Sequence, residues 1–205
     1  MTIIAARKLI PTLGKDNIGK ERVKAAAEIF KRHGASSRVM SVVGGEGAGE
    51  IHMYSGYPTV AAGAKTFEAV GADPDFQALM AKRESDPAGE IIGPEVFRVL
   101  YGDRQVDKRV VVQREYHMPR ENVPKAMEMM PRLEKIIGSL GIGVMSGVPL
   151  IASDHEMAMV IYYFNDLEHW GNSVDKMIAS PDFQALVSDA NELGTLTSSR
   201  LLVDI

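Results

Sequence analysis

The chain has 205 residues, a formal net charge of −4 and no cysteine. Its mild acidity, without any run of like charges, gives no reason to expect nucleic acid or an anionic membrane as a partner. The absence of cysteine excludes thiol catalysis, disulfides and thiolate metal sites. No apolar run approaches the roughly 18 residues of a membrane span and the start lacks a secretory pattern, so we expect a cytoplasmic protein.

The first half of the chain predicts the element order β-α-β-β-α-β. Apolar residues at helical spacing, such as Val23 and Phe30, predict the first helix. The helices are expected over residues 19–33, 59–72 and 73–85, the last two forming one broken helical segment. The strands are expected over residues 3–10, 37–43, 50–57 and 95–101.

The second half predicts the same order again. Strands are expected over residues 109–118, 142–151, 156–164 and 197–205, and helices over residues 122–140, 166–180 and 181–193. Pro131 lies inside the first of these helices and should kink or split it. The two halves meet at a short polar linker, so we predict one repeat over residues 1–104 and a second over residues 105–205.

A repeated hexapeptide supports this duplication. PDFQAL occurs directly after Asp73 and again directly after Ser180. Both preceding residues suit a helix N-cap, with proline at the first helical position. Thr59 and Asp166, which have the same separation, are also expected to cap helices. Landmarks in the same order along both halves indicate an internal repeat.

The order of elements and the composition of the strands together predict the fold. A β-α-β-β-α-β unit is the ferredoxin-like split unit, with helices on one face of an antiparallel sheet. The strands of this chain are apolar on both faces, as in VVV at residues 110–112 and MAMVIYYF at residues 157–164. A second apolar face needs a cover, and the sheet of the other half can supply it. We therefore predict an α+β protein in which two tandem ferredoxin-like units form a barrel.

This arrangement resembles the dimeric α/β barrel superfamily. The resemblance covers the whole chain and consists of the tandem β-α-β-β-α-β order with an extra short helix before each closing strand. Members of the superfamily include cofactor-independent monooxygenases of antibiotic biosynthesis, haem-binding enzymes and muconolactone isomerase-like proteins. The resemblance implies the fold, and no catalytic motif of one member matches this chain residue by residue.

Polar residues on apolar strands are the candidates for chemistry. His52 and Tyr54 share one face of their strand because residues two apart point the same way. We predict His52, Tyr54 and Tyr162 as catalytic residues around a barrel pocket of about a few hundred Å³, with histidine as acid or base. The predicted ligand-binding residues are Arg98, His117, Tyr163, Trp170 and Arg200, with Arg98 opposite Arg200 in the two closing strands. For each one the alternative is plain packing or an exposed edge position.

Local motifs predict neither a nucleotide, a metal nor a cofactor. GGEGAGE has neither the dinucleotide spacing nor a phosphate-loop lysine, and a strand follows it. The segment SDHE lacks the second histidine of a zinc motif, and the five histidines show no ligand spacing. A helical histidine can bind haem iron, so His169 leaves a haem-binding protein open as a lesser alternative.

Two classes of function remain. The first is a small-molecule enzyme, such as a cofactor-independent monooxygenase-like oxidoreductase or an isomerase, with an unidentified ligand inside the barrel. The second is a non-catalytic ligand-binding or structural module whose barrel is filled by side chains. Apolar helix positions outside the main stripes, Ile29 and Met129, lead us to expect a homodimer or a higher homo-oligomer.

Overall fold

The computed structural model describes residues 2–205, which form eight strands, six α-helices and one short 3-10 helix. The elements of the first half are β1 Ile3–Pro11, α1 Asp16–Arg32, β2 Ser36–Gly45, β3 Ile51–Tyr57, α2 Val60–Gly71, α3 Pro74–Ser85 and β4 Gly89–Tyr101. Those of the second half are β5 Val110–His117, α4 Val123–Gly138, β6 Gly143–Ile151, β7 Met157–Phe164, α5 Leu167–Ala179, α6 Pro181–Asn191 and β8 Thr195–Asp204. The predicted order of elements is confirmed.

All eight strands belong to one closed antiparallel barrel. The strands follow each other around it as β1-β3-β2-β8-β5-β7-β6-β4, closing from β4 back to β1. Read in two parts, this is the ferredoxin-like order β4-β1-β3-β2 and its counterpart β8-β5-β7-β6. The parts join where β2 pairs with β8 and where β4 pairs with β6. The predicted barrel is therefore confirmed, whereas the division into residues 1–104 and 105–205 stays a prediction.

The helices of the two halves keep a constant spacing along the chain. Helices α1 and α4 begin at Asp16 and Val123, and α3 and α6 begin at Pro74 and Pro181, a separation of 107 residues each time. Helix α4 runs unbroken through Pro131, so Pro131 does not split it, and the alternative of a kink stays a prediction. Buried residues on both sides of the proline, Met130 and Leu133, hold the two parts of this helix against the sheet.

The predicted N-caps are formed in all four helices concerned. The Asp73 carboxylate accepts the backbone N–H groups of Asp75 and Phe76, and the Ser180 hydroxyl accepts that of Phe183. Thr59 and Asp166 cap α2 and α5 in the same way. These bonds satisfy N–H groups that the first turn of a helix leaves without partners.

Both faces of the barrel wall are buried. An inner cluster fills the barrel and contains Met40, Phe97, Met145, Met159 and Leu202. Outer clusters pack the helices of each half against their strands. Ile29 is buried in one of them, so it is not the apolar surface that we expected to support a dimer. Within residues 2–205, no helix is long and apolar enough to cross a membrane.

Candidate functional site

His52 and Tyr54 lie together inside one mouth of the barrel. Both side chains point inward from β3, where His52 is paired with Lys8 of β1 and with Met40 of β2. His52 is only 1% exposed, although it stands near the start of its strand. Glu50 immediately precedes β3, and its Oε2 lies 2.7 Å from His52 Nε2.

A chain of hydrogen bonds leads from this pair across the barrel. Nδ1 of His52 lies 2.8 Å from the Tyr54 hydroxyl, which donates to Gln113 Oε1 over 2.9 Å. Nε2 of Gln113 then donates to Glu115 Oε1 over 2.7 Å. The chain therefore joins the N-terminal half, through β3, to the C-terminal half, through β5.

Arg200 closes the chain from the side of β8. It is 4% exposed, and its guanidinium donates to Glu115 Oε1 over 2.8 Å and to Glu46 Oε2 over 2.5 Å. Lys8 adds a weaker ion pair with Glu95, at 4.0 Å. We call the set Glu46, Glu50, His52, Tyr54, Gln113, Glu115 and Arg200 the barrel-mouth chain.

Burial controls the protonation of this chain. Desolvation lowers the pKa of His52, and the hydrogen bond to the Glu50 carboxylate opposes that shift. Arg200 and Lys8 lower the pKa of His52 further. Burial also raises the pKa of the Tyr54 hydroxyl, so this group remains a donor throughout the neutral range.

The barrel encloses a cavity of about 50 Å³ beside this chain. Tyr54, Gln113 and Glu115 line its polar end, whereas His52 does not reach it. Most of the remaining wall is apolar, from Met40, Phe97, Met145, Met159 and Ile161 among others. The cavity is much smaller than the few hundred Å³ expected from the sequence, because methionine and aromatic side chains fill the barrel centre.

Tyr163 and the linker between the halves lie at the other end of the cavity. Arg104 of the linker donates to the backbone oxygen of Tyr54 over 3.1 Å and bonds Ser36. The Tyr163 hydroxyl contacts the sulfur of Met145 at 3.6 Å, and burial raises the pKa of Tyr163 to about 12. Tyr163 lines the cavity, as expected of a ligand-binding residue, although its role stays a prediction.

Tyr162 lies on the opposite side of the barrel wall from His52 and Tyr54, so the structure does not bring the three predicted catalytic residues together. With Trp170 of α5, Tyr162 lines an open groove of about 300 Å³ between α5 and the sheet, which we call the sheet–helix groove. Its other side chains are mainly apolar, including Val112, Phe164, Val174, Met177 and Leu201. Arg200 borders it as well, although its guanidinium bonds residues of the barrel-mouth chain.

Arg114 is the cation of the sheet–helix groove. Its guanidinium carbon lies 5.4 Å from the centre of the Tyr162 ring, a cation–π distance. Its Nε is buried and has no hydrogen-bond partner among residues 2–205, and the same is true of Nη1 of Arg7 and Nε of Arg200. Sequence reasoning missed Arg114, although a charged residue within VVVQREYH is a visible signal.

In the first half, α2 lies close to the sheet at the position that corresponds to the sheet–helix groove. Arg7, 107 residues before Arg114, lies 4.6 Å from the centre of the Phe30 ring. There α2 carries Gly63 where α5 carries Trp170, and a Cβ at Gly63 would lie 3.3 Å from the Tyr57 ring. The small residue lets α2 approach the sheet, whereas the indole occupies that space in the second half.

The remaining predicted ligand-binding residues lie apart from both sites. The side chain of His117 is 51% exposed at the end of β5, where its Nε2 is 3.9 Å from Glu156. Arg98 is exposed on β4, so it does not match the buried Arg200. The expected match between these two arginines was wrong, because strand pairing with β1 and β5 places Glu95, and not Arg98, at the position that corresponds to Arg200.

His169 has both ring nitrogens engaged within the chain. Its Nδ1 accepts the backbone N–H of Asn165 over 3.1 Å, and its Nε2 lies 2.7 Å from the Leu140 carbonyl. The histidine ties the start of α5 to the end of α4, and it would have to break one of these bonds to bind a haem iron. Among residues 2–205, no three histidine or acidic side chains are grouped to hold a metal ion.

Solved structures with the same architecture cover nearly the whole chain. A putative monooxygenase from Fusobacterium nucleatum subsp. nucleatum superposes with a TM-score of 0.68 and 10% identity, over 98% of this chain and 92% of the other. An anthrone oxidase-like protein gives a TM-score of 0.65 and 12% identity, over 100% and 91% of the two chains.

A third neighbour, a putative chlorite dismutase, gives a TM-score of 0.58 and 13% identity over 100% of this chain and 94% of its own. The chain has the dimeric α/β barrel fold. No protein-family model and no curated protein sequence matches it. At these identities the neighbours establish the fold, and the site residues have to be argued from this chain alone.

Proposed function

We propose that the chain is a small-molecule-binding, oxidoreductase-like protein that holds its ligand in the sheet–helix groove. The observation that carries this proposal is the groove itself, an open site in which Arg114 lies together with the aromatic side chains of Tyr162 and Trp170. The groove volume of about 300 Å³ is within the range of small-molecule sites, and the barrel cavity is far below it.

The lining of the groove specifies the chemistry of the ligand. Tyr162, Phe164 and Trp170 offer aromatic surface, and Arg114 offers a charged donor. The ligand is therefore mainly apolar, preferably aromatic, and carries one oxygen that accepts a hydrogen bond. A cation beside such an oxygen stabilises the phenolate or enolate that forms when the ligand loses a proton to the solvent that fills the open groove.

Loss of such a proton is the first step of both cofactor-independent oxidation and isomerisation. The monooxygenase and anthrone oxidase-like neighbours favour oxidation by molecular oxygen. A ligand-binding protein without turnover would use the same groove, and it is the alternative that the filled barrel centre leaves open. His52 and Tyr54 belong to a separate site in this proposal.

The single tryptophan makes binding directly measurable, because it lies in the groove. Titration with trans-cinnamate should change Trp170 fluorescence, and the uncharged trans-cinnamamide should bind more weakly. Arg114→Met should weaken cinnamate binding about ten-fold or more, the usual loss for a charged hydrogen bond. Arg7→Met is the matched control, since it removes the equivalent arginine of the first half. Equal effects of the two substitutions would contradict the proposal.

Turnover needs its own measurement. Oxygen consumption with anthrone, without added cofactor, should exceed the spontaneous rate and should fall in Arg114→Met but not in Arg7→Met. Binding without oxygen consumption across a panel of phenols and hydroxyketones would select the non-catalytic alternative. Homo-oligomerisation and a cytoplasmic location are further parts of the proposal, to be tested by light scattering and by cell fractionation.

A further inference from the structure

The barrel-mouth chain fixes the direction of each of its hydrogen bonds. Arg200 can only donate, so Glu115 accepts from it. Because Glu115 is an acceptor, the group of Gln113 that faces it must be the amide NH₂. The carbonyl of Gln113 then faces Tyr54, and Tyr54 must donate its single proton to it.

The proton count of His52 follows from that of Tyr54. Since the Tyr54 proton is directed to Gln113, the Tyr54 oxygen must accept from His52, so Nδ1 carries a proton. The other ring nitrogen, Nε2, lies 2.7 Å from Glu50 Oε2, and a second proton must lie between these two atoms. A neutral histidine beside a carboxylate supplies only one proton for the two contacts.

The reverse arrangement fails on the same grounds. If Tyr54 donated to His52, Gln113 would have to turn its NH₂ group toward Tyr54. Its carbonyl would then face the Glu115 carboxylate at 2.7 Å, with two acceptors in contact and no proton between them. The observed distances therefore favour the arrangement with the additional proton.

We propose that Glu50 and His52 share one exchangeable proton and that, through Tyr54, they form an acid site facing the barrel cavity. Tyr54 lines the cavity and is the group that would touch a bound molecule, while His52 and Glu50 act through it. The suitable ligand is a small molecule with a proton-accepting oxygen, since the cavity has room for about three or four water-sized groups.

Each proton that is given up in this transfer is replaced from the next group of the barrel-mouth chain. The Tyr54 O–H bond breaks as the ligand oxygen gains a proton, the His52 Nδ1–H bond breaks as Tyr54 is reprotonated, and the shared proton moves fully to Nε2. Glu50, whose side chain is 20% exposed, exchanges protons with solvent. This site is separate from the sheet–helix groove, so either proposal can fail alone.

The charges around His52 come from several strands. Lys8 of β1 and Arg200 of β8 oppose a positive imidazole, and Glu50 favours one. Glu95 pairs with Lys8, while Glu46 and Glu115 pair with Arg200, so both cations are partly compensated. The two cations therefore weaken the contact between His52 and Glu50 less than uncompensated charges would.

Nitrogen NMR of protein labelled with ¹⁵N-histidine tests the proton count without a ligand. At neutral pH, Nδ1 of His52 should carry a proton. When the shared proton is removed at higher pH, the remaining proton should move to Nε2, where the Glu50 carboxylate accepts it. His33, 2.8 Å from the Asp73 carboxylate, is the reference in the same spectrum. An Nε2–H tautomer of His52 at every pH would overturn the proposal.

Two variants separate this role from simple packing. Glu50→Gln keeps the shape and can donate an amide hydrogen to Nε2, so His52 should stay Nδ1–H and lose the tautomer change. Tyr54→Phe removes the acceptor of Nδ1, so the Nε2–H form should dominate at neutral pH. Signals of His33 should not move in either variant. A tautomer change that persists in Glu50→Gln, or an Nδ1–H form that persists in Tyr54→Phe, would contradict the shared proton.

Discussion

The two halves of the barrel have the same elements at the same spacing, but they differ in where polar and bulky side chains lie. Inside the barrel, β3 places His52 and Tyr54 where β7, 107 residues later, places Met159 and Ile161. Outside the barrel the halves differ in the size of a helix side chain, because Gly63 of α2 corresponds to Trp170 of α5. The first half thus contributes His52 and Tyr54 to the barrel-mouth chain, and the second half contributes the open groove.

This difference shows how one duplicated frame can hold two unlike sites. The backbone of each half is fixed by caps, strand pairing and apolar packing, which the halves share. A change of one side chain at an inner strand position alters the barrel interior without altering the helices, because alternate strand residues face opposite sides. The sites can therefore diverge while the fold is kept.

The largest effect is expected from the two arginines of the closing strands. Arg200→Met removes the buried partner of Glu115 and leaves that carboxylate uncompensated, at a cost of about 3–5 kcal/mol in the free energy of unfolding. Arg98→Met, at an exposed position, should change it by about 0.5 kcal/mol or less. Urea denaturation followed by circular dichroism measures both. Similar losses in the two variants would show that the halves are more alike here than the structure indicates.

A smaller effect is expected where α2 approaches the sheet. Gly63→Trp copies Trp170 into the first half, where the new side chain must displace the Tyr57 ring, at a cost of about 1–3 kcal/mol. Gly171→Ala in α5 is the control, since no described residue lies within 4 Å of the added Cβ. It should stabilise the protein by about 0.5–1 kcal/mol through helix propensity. Unfolding curves of Gly63→Trp that match the parent protein would refute the packing argument.

The fold could be predicted from the sequence because the patterns that indicate it are local or periodic. PDFQAL marked two helix starts, and strands apolar on both faces required a closed barrel rather than an open sheet. Register was less accessible. Arg98 was matched with Arg200 at a spacing of 102 residues, whereas strand pairing with β1 and β5 gives 105, and an odd difference of three reverses the face of a strand.

The candidate site was partly accessible for the same reason. His52 and Tyr54 could be placed on one face because they lie on one strand, two residues apart. Tyr162 and Tyr163 are adjacent on one strand, so one faces into the barrel and the other faces outward. The sequence does not show which of the two faces inward. Gln113, Glu115 and Arg200 join the site through pairing between β5 and β8, which no local pattern reveals.

The smallest expected effect concerns acid stability and the two caps of the repeated hexapeptide. Hydrogen bonds from His33 and Arg32 hold the pKa of Asp73 well below its usual range, whereas Ser180 has no charge to titrate. A folded-state pKa below the unfolded one gives stability above about pH 4 that is lost as the pH falls. Asp73→Ser, a copy of the second cap, should therefore flatten the loss of stability between about pH 5 and 2, measured by urea denaturation at each pH. Ser180→Asp is the reciprocal control, and without neighbours like His33 and Arg32 it should add little acid dependence. An unchanged acid dependence in Asp73→Ser would mean that other carboxylates dominate, and that the charged cap of the first half does not distinguish it from the second.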